Sequence, residues 1–344
     1  MAAVSGAAPR SSVRSGGGET SIHQGSRQGS RSRWRSVAPF LLLAAFAGVL
    51  PLLVDGAGLF LWEMIAVQAV FALGTNLLVG HANIHTFGQA AFFGAGGYAV
   101  ALMSIRGWPV VLTLVMAIGL CALLGALIGG ISARATAMGT LMITVAVAQS
   151  LHMLTGRLSV FGGDNGLSAI AEGLPSTIGT GYWYLIASLS LVAVAVLWCI
   201  LHSPFGALLH AMRDDPLKVA HLGINVKLVR VAVFTLSGAF CGFAGSLAAF
   251  TQSAVSPEFF LWVVSGNALI MCVLGGMRSF WGPAAGAVLY MLLTHELQGA
   301  LPTISILVTG VALLVVVLLL PGGLADAPGR LKSSARLVTR RVWA

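Results

Sequence analysis

Four polar residues stand inside long apolar runs: Asn76, Gln149, His152 and Asn267. Amides and an imidazole in such places can hydrogen-bond a small polar solute passing through. Polar groups at membrane depth are costly, and they turn toward a bundle interior or a pathway. Each is equally suited to an interhelical hydrogen bond worth about 0.6 kcal/mol on average. Asn267 falls near the middle of its run and is the most telling of the four. Glu63 is expected at the outer, interfacial end of its run, and His295 and Glu296 near another outer end. No nucleophile, base and orienter come together by spacing. "GDNG" at 163–166 supplies one acidic residue in a turn, far short of the many oxygen ligands of a calcium loop. Cys121, Cys199, Cys241 and Cys272 lie in apolar runs without CxxC spacing. They read as small buried hydrophobes, with neither disulfide nor metal chemistry. The expectation is a protein that is no enzyme and holds no metal or cofactor of its own.

Two further stretches carry polar groups in a pattern. The first is "GHANIHTFGQAAFFGAGG" (80–97). It is too polar over 81–89 to extend the apolar run before it. A helix ending at Gly80 and another beginning near Thr86 or Gly88 would place Asn83, Thr86 and Gln89 at a break. The N-terminus of a helix begun inside a bundle presents free N–H groups and a dipole suited to a carboxylate or polar carbonyl. Broken helices of this kind hold substrates or shape gates in many transporters. The same side chains also serve as helix caps at a membrane border. The second stretch is "RDDPLKVAHLGIN" (213–225). Asp215 is a good N-cap, and Pro216 suits the first helical position. Gly223 can take the left-handed conformation that ends a helix. The result is a helix of about two turns, marginal in water by itself, with Leu217, Ala220 and Ile224 on one face. Such a helix wants a partner surface; as a plain connector it would need no pair of caps.

These stretches sit in a chain that only a membrane can accommodate. Of its 344 residues, 57% are hydrophobic and 8% charged, where a soluble domain carries roughly 25% charged residues. The mean hydropathy is +0.92. Apolar runs fall at 37–54, 59–79, 88–104, 108–131, 138–155, 182–202, 229–251, 260–277, 282–299 and 303–320. A span needs about 20 such residues to cross a hydrocarbon core of roughly 30 Å. The expectation is an all-α, polytopic bundle of about ten transmembrane helices, with 37–325 as its membrane domain. Period-2 alternation is absent, which argues against a β-barrel.

The net charge of +9 reflects distribution along the chain and no nucleic-acid surface. Residues 1–36 hold six arginines, nine serines and six glycines. This is a low-complexity basic tail without the apolar core of a signal peptide. A transit peptide would share its composition, but no apolar face accompanies it. Ten spans put both termini on one side. That side then receives the arginines of the tail, Arg134, Arg213, Lys218, Lys227, Arg230, Arg278 and the basic residues of a second tail, 326–344. Only Arg106 and Arg157 face the other way. By the positive-inside rule the shared side is cytoplasmic. An eight-span variant with re-entrant loops would keep most of this bias. The loop 156–181 is then external and the connector 203–228 internal. Glycines at 125/129, 238/242 and 282/286 make small-xxx-small stripes suited to close helix packing.

The segment "SPFGALLHAMRDDPLKVAHLGINVKLVRVAVFTLSGAFCGFAGSLAAF" (203–250) resembles the cytoplasmic coupling region of permease subunits of bacterial branched-chain amino-acid ATP-binding-cassette importers. "GTNLLVGHANIHTFGQAAFFGAGGYAVAL" (74–102), "GGDNGLS" (162–168) and "VLGGMRSFWGPAAGAV" (273–288) resemble further family motifs, in the family's order. The resemblance covers roughly 40–325 and favours the subunit type with the longer periplasmic loop. Where the family shows Gly-Gln, Ser and His, this chain has Asn83-Ile84, Thr86 and Gln89.

The resemblance implies an inner-membrane importer subunit for a small polar solute, chiefly branched-chain amino acids. Urea or short amides, carried by related permeases, are the nearest alternative. It implies a coupling helix at about 215–223, with Arg213, Asp215, Pro216, Leu217, Ala220 and Gly223 at an ATP-binding subunit. Its other implied partners are a second ATP-binding subunit, a sister permease and a periplasmic substrate-binding protein. The lysines Lys218, Lys227 and Lys332 never follow a glycine, so no phosphate-binding loop is present and ATP belongs to the partners. Asn76, Asn83, Thr86, Gln89 and Asn267 are the expected pathway residues. From another class, an ion-coupled secondary carrier would need carboxylates near the bilayer midplane, and none is firmly placed there.

Overall fold

The computed structural model describes residues 40, 42–51, 56–168 and 180–300, with 307, 308, 310, 311, 314, 318 and 323. The tails at 1–36 and 326–344, residues 169–179 of the loop 156–181 and most of the last apolar run lie outside the described residues. The chain has two units, Met1–Ala45 and Phe46–Ala344.

Helices occupy the apolar runs. After α1 (Leu42–Pro51) comes α2 (Gly56–Asn76), which continues through a π turn at Leu77–His81. Then follow α3 (Gln89–Ser104), α4 (Val110–Ser132), α5 (Ala137–Arg157) and α6 (Thr180–Leu201). A connector of two short helices, α7 (Pro204–Asp214) and α8 (Pro216–His221), leads to α9 (Val226–Gln252). α10 (Trp262–Gly275) and α11 (Gly282–Ala300) come next. Among the described residues five segments are long and apolar enough to cross a membrane: Gly58–His81, Val110–Ser132, Ala137–Arg157, Gly181–Leu201 and Val226–Gln252. Leu42–Pro51 and Trp262–Gly275 are shorter apolar helices. The protein is an all-α, multi-pass membrane protein.

The core sits around α9. At 27 residues this helix is about 40 Å long, and it packs against α2, α3 and α4. Its second half is buried almost all round, the mark of a helix enclosed by others. Close approach explains the glycines. A Cβ on Gly96 of α3 would run into the Gly242 carbonyl of α9, and one on Gly125 of α4 into the Phe234 carbonyl. The small-residue stripes on α4 and α9 therefore mark backbone-to-backbone contacts. α4 and α5 turn Val111, Val115, Leu123, Met138 and Met142 outward, as lipid-facing helices do.

The loop after α5 is pinned to the end of α9. Leu167–Ser168 pairs antiparallel with Ala254–Val255, Leu167 opposite Val255 and Ser168 opposite Ala254. Nearby, the His152 ring donates from Nδ1 to the Pro257 carbonyl at 2.9 Å, so this histidine ties α5 to the short turn Pro257–Phe260. Glu63 lies in the first half of α2. It is buried on α2, which is covered by α6, α9 and α11.

Candidate functional site

The first site is the break between α2 and α3. The π turn widens the end of α2: Ala82 N–H reaches the Leu77 carbonyl at 3.2 Å, and Ile84 N–H the Leu78 carbonyl at 2.9 Å. Asn83 then takes a left-handed backbone with φ of 55°, which asparagine tolerates better than most residues. The His81 ring is buried and donates from Nδ1 to the Asn76 carbonyl at 3.2 Å.

The segment after the break is held from two neighbouring helices. Phe87 N–H donates to Thr144 Oγ1 of α5 at 3.3 Å. Ser265 of α10 accepts from Ala90 N–H at 2.8 Å and donates to the Phe87 carbonyl at 2.7 Å. Thr86 Oγ1 accepts from Gly88 N–H at 3.1 Å, and Ala91 N–H bonds the Gly88 carbonyl. The amides at the start of α3 are thus largely committed within the protein. The helix end offers fewer free donors than the sequence suggests.

What remains uncommitted is the side chain of Gln89. It is fully buried, and neither Nε2 nor Oε1 has a hydrogen-bond partner. Asn76 is also fully buried, with Oδ1 unpartnered and its amide nitrogen 3.5 Å from His81 Nδ1. An unpaired buried polar group costs about 1–3 kcal/mol, and these two side chains flank one helix break. Thr86 is buried beside them along the chain, whereas Asn83 is exposed and Asn267 half-buried on α10. Thr144 and Ser265 were not singled out in the sequence. They lie 57 and 175 residues from their partners, and a lone hydroxyl in an apolar run carries no local signal.

The second site is the connector. α7 starts at Ser203, whose Oγ accepts from Phe205 N–H, with Pro204 at the first turn. It buries Leu209 and Met212 against the body. α8 starts at Asp215, whose Oδ1 accepts from Leu217 N–H at 2.9 Å and Lys218 N–H at 3.3 Å. Those bonds, the one from Lys218 first, hold its carboxyl below the usual carboxylate range. Lys218 Nζ lies 3.5 Å from Asp215 Oδ2. Gly223 takes φ of 82° after the helix. Val219 alone of α8 is buried, and it anchors the helix. Leu217 is 71% exposed and Leu222 77%, and Ala220 and Gly223 are exposed with them. Ile224, expected on the same face, instead packs against the core, because the left-handed turn at Gly223 redirects the chain toward α9. Arg213 is half-exposed at the end of α7. α8 is thus an ordered helix that presents Leu217 to solvent, with Leu222 exposed just after it, while the amides of Asn76 and Gln89 are buried at the helix break.

Residues 59–319 match the family described as branched-chain amino acid transport system / permease component. The high-affinity branched-chain amino acid transport system permease protein LivM of Salmonella typhimurium is 28% identical over 313 residues, 83% of this chain and 73% of its own length. LivM of Escherichia coli is 27% identical over 82% of this chain and 73% of its own. The ribose import permease protein RbsC of Haemophilus influenzae is 27% identical over 68% of this chain and 74% of its own. No solved structure matches the chain significantly. With well over half of its length matched to the family, the chain belongs to the branched-chain amino acid transport system permeases.

Proposed function

We propose that this chain is the permease subunit of an ATP-binding-cassette importer that brings branched-chain amino acids across the inner membrane. Its partners are two ATP-binding subunits, a sister permease and a periplasmic substrate-binding protein. ATP is hydrolysed by the partners, and this chain supplies the path. The observation that carries the reading is α8, a capped helix anchored by Val219 that holds Leu217 and Leu222 out to solvent. Apolar side chains fixed in the open at the end of a bundle fit the groove of another subunit. Arg213, Asp215, Pro216, Leu217, Ala220 and Gly223 form this coupling element. Asn76, Thr86 and Gln89 line the path at the broken helix, with Asn83 at its mouth and Asn267 on α10.

Ten spans with both termini cytoplasmic complete the reading. The external loop then lies opposite the connector. Single cysteines at Ser168 and Lys218, both exposed, in a background lacking the four native cysteines, test this directly. An impermeant thiol reagent on intact cells should label Ser168→Cys only. Lys218→Cys should react only after the cells are opened. Labelling of both in intact cells would rule out the ten-span arrangement.

A further inference from the structure

At the end of α6 a cleft of about 380 Å³ opens between α6, α7, the π turn and the α10–α11 turn. Its lining includes His81, His202, His210 and Arg278, and no lining residue is acidic. His81 and His210 meet edge to face, with ring centroids 5.5 Å apart. Three imidazole rings and the Arg278 guanidinium share one cavity, and none of the lining residues offers an anion to pair with that guanidinium. We propose that this cleft binds a phosphate group, supplied by the head group of an anionic phospholipid.

Three observations support that ligand. First, the cleft stands at the level where a lipid head group lies. α6 is a span ending at Leu201, and Trp198 in its last turn packs on Phe280 at 4.8 Å, which meets Trp281 at 5.0 Å. Tryptophans gathered at a span end mark the membrane–water interface. Second, the His202 ring stacks on Trp198 at 3.8 Å and donates from Nδ1 to the Trp198 carbonyl at 2.9 Å, which fixes the ring at the rim of the cleft. Third, the planar fork of Arg278 is exposed at the mouth, and guanidinium matches the oxygens of phosphate bidentately. Basic pockets between transmembrane helices are suited to anionic head groups. The position also suggests a use. His210 sits on α7 and His81 on the π turn, so a head group held between them would tie the connector to the broken helix. The proposal rests on the interfacial position of the cleft and does not depend on which solute the protein carries.

The test uses the full chain in nanodiscs and tryptophan fluorescence. Brominated phosphatidylglycerol and brominated phosphatidylcholine are compared as quenchers, and a Trp198→Phe variant isolates the signal from the cleft. The glycerol lipid should quench Trp198 at a mole fraction about fivefold lower than the choline lipid, the effect of one basic contact or more. Arg278→Gln and His210→Gln, both at exposed positions, should each reduce that preference without changing the melting temperature. Inorganic phosphate at millimolar concentration should leave the quenching in place; reversal by it would overturn the lipid as the source and assign a free anion. Equal quenching of Trp198 by the two lipids in the unmodified chain would overturn the proposal.

Discussion

Leu217→Asp is expected to give a permease that inserts, folds and melts as the parent does, yet fails to retain its ATP-binding subunit. Leu217 is largely exposed on α8, so the isolated chain loses almost no packing when it is replaced. In the assembled importer the same position should be covered. A carboxylate forced there without a partner costs several kcal/mol, and about 3 kcal/mol already weakens binding by roughly a hundredfold. A detergent pull-down with the ATP-binding subunit reads the loss. Val219→Asp supplies the contrast. Val219 is 2% exposed and belongs to the core, so its replacement should detach α8 and lower the stability of the permease itself. Retention of the ATP-binding subunit by Leu217→Asp, with normal uptake, would reduce α8 to a connector.

Gln89→Leu should cut uptake by about 10- to 100-fold, the worth of one or two hydrogen bonds to a charged or polar solute, while assembly with the partners survives. The direction of the stability change separates a pathway role from a structural one. Both amide atoms of Gln89 are buried without partners. Replacing them by an apolar group of similar size removes an unsatisfied pair and should leave the melting temperature equal or higher. An equal or higher melting temperature together with lost uptake would assign Gln89 to the path. Asn83→Leu tests the mouth of the same break. Asn83 is exposed with φ of 55°, and a leucine tolerates that backbone poorly, so its loss of uptake should come with some loss of order. Normal transport by both variants would place the path elsewhere.

The sequence shows the spans and the caps well because both are local. Apolar runs of helical length locate α2, α4, α5, α6 and α9, and Asp215-Pro216 announces α8 by its cap and its fixed φ. The polarity of 81–89 marks the break between α2 and α3. α7 could have been found by the same signature, since Ser203-Pro204 opens it as Asp215-Pro216 opens α8. What stays hidden is set by distant partners. The burial of Glu63 depends on α6, α9 and α11 closing around α2. The commitment of the α3 amides depends on Ser265, far along the chain. The turning of Ile224 into the core follows from one left-handed glycine. The cleft of His81, His202, His210 and Arg278 joins four separate segments, and no spacing along the chain brings them together.

Reconstituted uptake tests the central claim most directly. The full permease pair, the ATP-binding subunits and the substrate-binding protein are placed in liposomes, and entry of radiolabelled leucine, isoleucine or valine is followed. Uptake should require ATP on the side bearing α8 and the binding protein on the other, and collapse of the proton gradient should leave it unchanged. Uptake that proceeds without ATP and stops when the proton gradient is discharged would contradict the account.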